Sequence, residues 1–241
     1  TFDAGNSRYC FSEISRDKLL NDYLWIINDS GKNTNCQPEN FITIWKTDNS
    51  GTSGNNQITI PTYSGETYDY TVDWGDGTSD TNVTANITHT YYTSGVYQVS
   101  IEGAFPRIYF NETGDSKKIL AIKQWGDTAW SSMESAFAGC SNLSVAANDV
   151  PNLFNTTSLR RMFLNCNYTF DFTRSREYRN FNGIENFNSW DVSTITDMSN
   201  MFDKSSFNQD ISSWNVSNVT DMSYMFFSSP FNFDVSNWNV S

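Results

Sequence analysis

The sequence predicts a mainly β fold with short helices, in which a β-sandwich precedes a solenoid of 24-residue coils. The solenoid follows from a near-repeat, because Trp190, Trp214 and Trp238 lie 24 residues apart and open almost identical strings. A fixed period of roughly 20 to 50 residues is typical of stacked repeat architectures. The sandwich follows from short alternating apolar and polar segments, separated by turn signals, earlier in the chain. The chain accordingly divides into an N-terminal segment, a sandwich and a solenoid: 1–40, 41–115 and 116–241.

The N-terminal segment does not predict one fold. Its apolar residues between Leu19 and Ile27 suit a short amphipathic helix about as well as a strand. Cys10 and Cys36 lie towards its two ends, and a bond between them would close the segment into a loop. It is either a small cap or the tail of a preceding domain.

The strands of the sandwich begin at Phe41. FITIWKT and QITIPT alternate apolar and polar residues, and YDYTVDWGDGTS is a strand that runs into a turn. In that turn, Asp76-Gly77 favours the positive backbone angles of a tight hairpin. THTYYTSGVYQVSIEG and RIYFN predict two further strands, separated by Phe105-Pro106.

Residues 41–113 resemble a PKD domain, an immunoglobulin-like sandwich common in surface and secreted proteins. The signature is carried by Trp74, Gly75, Asp76 and Gly77, and then by His89, Tyr91, Gly95, Tyr97 and Val99. His89 is the only histidine of the chain and occupies the position of a structural histidine in that motif. No Ser or Cys nucleophile lies near it in the sequence, so we predict no catalytic triad.

The coils share a frame in which equivalent residues form columns, each column being one position followed through successive coils. One aromatic column holds Phe137, Phe163, Phe202 and Phe226. Alternation at Trp214-Asn215-Val216 predicts a brief strand with Trp and Val inside and Asn outside, so the Trp column is core rather than a sugar-binding stripe. A polar column, Ser132, Ser158, Asp197 and Asp221, precedes short apolar runs and predicts helix N-caps.

The string SFNQDISSWNVSNVTDMSYMF resembles the repeat of BspA-like leucine-rich repeat surface proteins, which occur in bacteria, some protists and large viruses. The resemblance covers about residues 117–241. It implies a right-handed solenoid and a role at a cell or particle surface, without enzyme activity.

One irregularity interrupts the repeat. Phe163 and Phe202 are 39 residues apart, which exceeds the 24-residue period by a 15-residue insertion near 170–186. Insertions in solenoids project as loops, often on the binding face. The insertion carries Arg174, Arg176 and Arg179, which are candidates for a partner-binding loop. The alternative is a solvated loop whose charge has no role.

The repeat also proposes a pairing for the four cysteines. Cys140 and Cys166 each follow the Phe of their coil by three residues and therefore share a column. Neighbouring strands lie about 4.8 Å apart, and a disulfide needs Cα atoms roughly 4.4–6.8 Å apart. We predict Cys140–Cys166, which leaves Cys10–Cys36; the alternative is four buried free thiols. Paired cysteines would indicate an oxidising, extracellular setting.

Composition excludes several functions. The net charge of −12 and the absence of a Lys/Arg patch argue against nucleic-acid binding. No apolar run reaches about 18 residues, so we predict no transmembrane segment. A glycosidase would need two carboxylates around a cleft, and the repeat places no such pair. We therefore predict no enzyme and no cofactor.

Two kinds of site remain candidates. Asp73, Asp76 and Asp80 crowd one turn and are weak candidates for Ca²⁺ ligands, although aspartates also favour turns for their backbone hydrogen bonds. Asn-x-Ser/Thr sequons are candidates for N-glycosylation, although several arise by chance in so Asn-rich a chain. They are Asn28, Asn82, Asn86, Asn111, Asn142, Asn155, Asn167, Asn215, Asn218 and Asn239.

These observations lead us to expect a non-catalytic extracellular surface protein, on a cell or secreted, for adhesion or recognition of a protein or glycan partner. The alternative is a structural subunit of an extracellular filament, surface layer or virion surface. Such a subunit would bind copies of itself through uncapped solenoid ends, since the sequence stops four residues into a repeat without a polar capping coil.

Overall fold

The computed structural model describes residues 2–3, 26–28, 39–166 and 187–240. The chain divides into two compact units, Thr1–Glu39 and Asn40–Ser241. In the first unit, two short strands, β1 and β2, pair in parallel (Phe2–Asp3 and Ile27–Asn28).

The second unit is mainly β, and its one helix among the described residues is a 3-10 turn at Phe187–Ser189. Its strands are β3 Phe41–Lys46, β4 Gln57–Ile60, β5 Asp69–Asp73, β6 Ser79–Val83, β7 Ile87–Thr90, β8 Val96–Ala104, β9 Ile119–Gln124 and β10 Ser144–Val145. They form a six-stranded sheet in the order β10-β9-β3-β8-β5-β6 and a two-stranded sheet, β4-β7.

The strands predicted at FITIWKT and QITIPT and before the turn at Asp76-Gly77 are confirmed, with Ile58, Val72 and Val99 buried in a common core. The single strand predicted for THTYYTSGVYQVSIEG is wrong, because this segment forms two strands, β7 and β8, which belong to different sheets. The predicted hairpin at Asp76-Gly77 joins β5 to β6. Gly75 and Gly77 supply its positive φ angles, 75° and 87°. At Gly75 a Cβ would lie 2.2 Å from the carbonyl oxygen of Gln98, so glycine is required there.

Strand β9 lies between β3 and β10 in the six-stranded sheet. It pairs antiparallel with β3 of the sheet and parallel with β10, where Ala121 faces Ser144. The Ser144 hydroxyl donates to the Leu120 carbonyl 24 residues earlier, which is the spacing of the repeat. Residues 41–115 and 116–241 were predicted to form a separate sandwich and solenoid. In the structure both ranges lie in one compact unit.

The rings of the predicted aromatic columns stack on one another. The rings of Phe137, Phe163, Phe202 and Phe226 follow one another at centroid distances of 5.7, 5.8 and 5.8 Å. Trp190, Trp214 and Trp238 follow one another at 6.4 Å. Trp214 and Val216 are buried while Asn215 is exposed, which confirms the predicted burial at this position and the Trp column as core.

The secondary structure predicted within each coil is wrong in two respects. The Trp-x-Val positions form no strand. Isolated parallel β-bridges occur instead in the polar column, at Ser158, Asp197 and Asp221, and between Ala129 and Asn152. The predicted helices after that column are chains of tight turns. In the first coil the amide of Ala136 donates to Met133, and that of Cys140 to Phe137, three residues back. Only alternate amides are used this way, so a continuous helix does not form.

The remaining amides bond to the next coil. The amides of Phe137, Phe163 and Phe202 donate to the carbonyls of Met162, Met201 and Met225, each at 2.9 Å. Between successive coils four such bonds recur at alternate residues, as at Met198, Asn200, Phe202 and Lys204. Two columns of this segment have positive φ: Ser135, Arg161, Asn200 and Tyr224, and Gly139, Asn165, Lys204 and Ser228.

The strand predicted for RIYFN does not form, and this segment instead covers the first coil. The amide of Phe110 donates to the Ala136 carbonyl (3.2 Å) and that of Glu112 to the Ala138 carbonyl (2.9 Å). The Arg107 Nη2 atom donates to the Glu134 carbonyl at 3.0 Å. Phe110 lies 6.4 Å from Phe137 and extends the Phe column by one ring. Residues 107–112 thus imitate a preceding coil.

Candidate binding surface

One lateral side of the coil stack carries exposed or half-exposed short polar side chains in two adjacent columns. We call it the Thr–Asp face, and it consists of Thr157, Ser158, Thr196, Asp197, Thr220 and Asp221. The amides of Thr196 and Thr220 donate to the carbonyls of Thr157 and Thr196, both at 2.8 Å. The Thr196 and Thr220 hydroxyls donate to the same carbonyls at 3.2 and 3.1 Å. The spacing of the face is therefore fixed by the backbone.

The aspartates of this face cap turns. Asp197 Oδ1 accepts bonds from the Ser199 amide (2.9 Å) and the Ser199 hydroxyl (2.7 Å). Asp221 Oδ1 accepts the Ser223 amide at 2.8 Å, and hydrogen bonds from the Ser223 backbone and side chain lower the pKa of Asp221. Both carboxylates therefore hold their own turn.

The three aspartates proposed as calcium ligands do not converge on one point. Asp73 accepts the Gly75 amide, Asp76 accepts the Thr78 amide and hydroxyl, and Asp80 accepts the Trp74 indole at 2.8 Å. Over the ranges that the structure describes, no cluster of three His, Cys, Asp or Glu side chains could hold a metal ion. The crowding in the sequence reflects turn formation.

His89 ties the two sheets together. Its Nε2 atom lies 2.8 Å from Asp76 Oδ2, and its ring stacks on Trp74 at 4.7 Å and meets the edge of Tyr91 at 4.5 Å. Burial raises the pKa of Asp76, but hydrogen bonds from Thr78 and His89 outweigh this effect and the pKa lies below its ordinary value. The arrangement is that of a structural histidine.

The predicted Cys140–Cys166 bond is not formed, and both residues are buried free thiols. The Cys166 thiol donates instead to the Phe137 carbonyl at 3.1 Å. Burial raises the pKa of both thiols, and the neighbouring Cys166 raises that of Cys140 further. The shared column brought the two residues close, but the side chain of Cys166 is directed at the backbone of the preceding coil.

The sequons differ in the use of their side-chain amide, whose Nδ2 atom would carry a glycan. Nδ2 of Asn142 donates to the Lys117 carbonyl (2.6 Å) and Nδ2 of Asn218 to the Ser193 carbonyl (2.7 Å). Exposed sequons whose Nδ2 has no such bond in the described structure are Asn86, Asn155 and Asn215. Asn82 donates to Thr81, Asn111 is half-buried with a φ of 47°, and Asn239 is exposed.

Several predicted site residues lie outside the described part of the chain. They are Cys10, Cys36, Asn167, Arg174, Arg176 and Arg179, and of Asn28 only the backbone is described. The Cys10–Cys36 bond and the arginine loop therefore stay predictions.

Sequence reasoning missed a buried ion pair beside β9. The Lys118 side chain is fully buried, and its Nζ donates to Ser53 Oγ (2.7 Å) and to the carbonyls of Ser53, Gly54 and Gln57. Asp115, also fully buried, accepts the amides of Thr52, Ser53 and Thr59. The two charged residues lie three residues apart, but no local pattern in the sequence signals their burial, because the loop that surrounds them lies about 60 residues earlier in the chain.

Comparison with known proteins covers the coils alone. Residues 157–241, slightly over a third of the chain, are similar to the family described as Mycoplasma protein of unknown function, DUF285. No curated protein and no solved structure matches the chain. Among the helical residues that the structure describes, none forms a segment with the length and apolar character needed to cross a membrane.

Proposed function

We propose that this chain is a non-catalytic recognition protein at an extracellular surface. In this proposal the coils form a right-handed solenoid of the BspA-like type, residues 41–115 are a PKD-like sandwich, and the Thr–Asp face contacts a protein or glycan partner. The observation that carries the proposal is the backbone bonding of that face, which repeats the same hydroxyl and carboxylate groups at a fixed spacing.

A face of this kind suits recognition for an energetic reason. Short Thr, Ser and Asp side chains lose less rotamer freedom on binding than Lys, Arg, Glu or Gln. Their positions are held by bonds that exist before a partner arrives, so ordering costs at the interface are small. Hydroxyl and carboxylate oxygens both accept hydrogen bonds, and hydroxyls also donate, which matches sugar hydroxyls and polypeptide edges alike.

The test compares two double variants of the whole chain. Thr157→Arg with Thr220→Arg places two long cations on the Thr–Asp face, and Ser236→Arg with Asn237→Arg places them on exposed positions elsewhere in the coils. The unmodified chain is first applied to an array of defined oligosaccharides and to immobilised extracellular matrix proteins. We expect at least a tenfold loss of the detected binding for the first variant and no change for the second.

Circular dichroism and the melting temperature of each variant check that the fold is retained. Equal losses for both variants would place the binding elsewhere, and the proposal would also fail if the unmodified chain bound nothing on either surface.

The alternative is a structural subunit of an extracellular filament, surface layer or virion surface that binds copies of itself. Analytical ultracentrifugation separates the two functions. A subunit of this kind associates with itself as its concentration rises, whereas a recognition protein stays monomeric.

A further inference from the structure

Two half-buried tyrosines, Tyr63 and Tyr109, meet beside the segment that covers the first coil. Their rings pack edge to face at a centroid distance of 5.0 Å. The Arg107 guanidinium lies over both rings, with its Cζ atom 4.1 Å from the Tyr63 centroid and 4.8 Å from the Tyr109 centroid. The Ser131 hydroxyl, in the first coil, donates to Glu66 Oε1 at 2.6 Å. We call these five residues the tyrosine site.

Three segments that are far apart in the sequence meet at the tyrosine site. They are the loop that joins β4 to β5, the segment that covers the first coil, and the first coil itself. The Tyr109 amide donates to the Pro61 carbonyl (3.4 Å), and the Ser131 amide donates to the Pro106 carbonyl (3.0 Å). These backbone groups are used within the chain, so the site offers a partner side chains in positions that are fixed before binding.

The two tyrosine hydroxyls of the site differ from those of the buried tyrosines nearby. Tyr68, Tyr70 and Tyr91 each donate the hydroxyl to a backbone carbonyl, at 2.8, 2.9 and 3.1 Å. The hydroxyls of Tyr63 and Tyr109 form no hydrogen bond with any described residue. A half-buried tyrosine of this kind presents an apolar ring and an unused polar group at one place.

Arg107 also has hydrogen-bonding capacity that the chain does not use. Only 8% of its side chain is exposed, and its Nη2 atom donates to the Glu134 carbonyl at 3.0 Å. Its Nε atom is buried without a partner. Its Nη1 atom has no partner among the described residues either, but unlike Nε it is not buried. Because the planar guanidinium is held against two rings, the direction of its Nη1 donors is fixed.

The charges around the site favour an uncharged ligand. Glu134 lies 3.8 Å from Arg107 Nη2 and 3.3 Å from Arg160 Nη1, so this carboxylate and that of Glu66 balance the two arginines. An anion would meet the two carboxylates, and a cation would compete with Arg107 for the ring faces. A neutral sugar has apolar C–H faces for the rings and hydroxyls that both donate and accept hydrogen bonds.

We propose that the tyrosine site binds one neutral sugar residue of a glycan. A C–H face of the sugar packs on the tyrosine rings. Its hydroxyls donate to the Glu66 carboxylate and accept from Arg107 Nη1, and the tyrosine hydroxyls bond to the remaining oxygen atoms. A polypeptide fits less well, since addition of a peptide to a sheet edge uses free backbone groups, which are already bonded here. The inference does not depend on the Thr–Asp face.

The experiment uses the full chain and the neutral methyl glycosides of glucose, galactose, mannose, N-acetylglucosamine and N-acetylgalactosamine. Saturation-transfer NMR detects which glycosides bind, and titrations give their dissociation constants. Tyr63→Phe with Tyr109→Phe keeps both rings and removes the hydroxyls, whereas Tyr63→Ala removes one ring. Tyr92→Ala is the matched control, because Tyr92 is fully exposed and lies outside the site. Melting temperatures show whether each variant keeps the fold, and if Tyr63→Ala does not, the double Phe variant decides.

We expect at least one neutral glycoside to bind the unmodified chain. Its binding should be at least threefold weaker for the double Phe variant, at least tenfold weaker for Tyr63→Ala, and unchanged for Tyr92→Ala. The Thr157→Arg and Thr220→Arg variant should bind this glycoside unchanged, which separates a failure of this inference from a failure of the proposed function.

Three results would overturn the inference. The first is that no neutral glycoside binds, and the second is that the tyrosine variants bind as the unmodified chain does or lose no more than Tyr92→Ala. The third is that methyl glucuronide or a nonaproline peptide binds at least tenfold more tightly than every neutral glycoside, which would assign the site to an anionic ligand or to a polypeptide.

Discussion

The strands of residues 41–104 and the coils that follow β9 satisfy their backbones in different ways. Strand β3 pairs with β8, 50 or more residues away, so the sheet closes only when distant segments meet. In the described coils, the backbone hydrogen bonds between coils join each coil to the one before it and the one after it. Stability in such stacks is approximately a sum over neighbouring pairs, whereas a sheet with one core responds as a unit. Damage should therefore spread through the strands and stay local in the coils.

The largest effect is expected from Lys118→Met. This change leaves Asp115 charged, buried and without its cation, and removes four donor contacts to the loop at Ser53–Gln57. Breaking a buried ion pair by removing one partner costs about 3–5 kcal/mol. Urea unfolding followed by far-UV circular dichroism should show a loss of that size.

The matched control for this change is Lys117→Met, because Lys117 is exposed and adjacent in sequence. We expect its free energy of unfolding to change by less than about 0.5 kcal/mol. Equal effects of the two variants would contradict the central role of the Lys118 contacts.

The next effect compares two positions of one column. Phe202 is fully buried between Phe163 and Phe226, whereas Phe226 is only partly buried and stacks within the column on Phe202 alone. Phe202→Ala should cost about 3–5 kcal/mol and Phe226→Ala about half of that, because each neighbour contributes its own packing. Chemical unfolding of both variants measures this, and a ratio near one would rule out additivity between neighbouring coils.

Exchanging glycine and non-glycine residues in the column of Gly139 and Lys204 should change stability in opposite directions, because both residues have a positive φ. Gly139 has a φ of 81°, and a Cβ there would lie 2.8 Å from Glu112 Cα. Gly139→Ala should therefore destabilise the chain by about 2 kcal/mol, since a left-handed conformation costs an L-residue about 1–2 kcal/mol before any clash. Lys204 is exposed with a φ of 51°, so Lys204→Gly should stabilise by about 0.5–1 kcal/mol. Melting temperatures that move in the same direction for both would contradict this.

The same two regions show how far sequence alone reaches. Alternation located the strands at Phe41–Lys46 and Gln57–Ile60, because a half-buried strand repeats every two residues. The 24-residue period located the Phe and Trp columns, because stacked coils place equivalent residues over one another.

Backbone conformation inside the coil was not accessible in this way. A short apolar run after Ser or Asp is typical of a helix. The residues Arg161, Lys204 and Tyr224 have positive φ angles, although none of these residue types favours one. Those angles are imposed by bonds to the next coil, which are contacts between residues far apart in sequence. One sequence signal did indicate that residues 107–112 cover the first coil. Phe110 precedes Phe137 by 27 residues, close to the 26 that separate Phe137 from Phe163.

The Thr–Asp face was predicted only in part. The polar column of Ser158, Asp197 and Asp221 was identified as capping, and it caps turns rather than helices. The contacts of Lys118 with Ser53, Gly54 and Gln57 were missed because the two segments have no periodic relation. The contact of Arg107 with Glu134 was missed because RIYFN was predicted to be a strand rather than a segment that covers the first coil.

The smallest effect concerns acid stability and separates the sandwich from the coils once more. Hydrogen bonds from Thr78 and His89 keep the pKa of Asp76 below its ordinary value despite the opposing effect of burial. A carboxyl whose pKa is lower in the folded than in the unfolded state contributes stability above the unfolded pKa, near about 3.9, and this contribution is lost as the pH falls through the folded pKa. Asp76→Asn should therefore reduce the free energy of unfolding at pH 7 and flatten the decline of that free energy between about pH 5 and 3.

Asp221 in the coils also has a lowered pKa, but its carboxyl is exposed and its bonds are local to one turn. Asp221→Asn should change the acid profile less, and urea midpoints measured across that pH range compare the two variants. An equal change in both profiles would mean that the hydrogen bond between His89 and Asp76 contributes no more to acid stability than the bonds of an aspartate within its own turn.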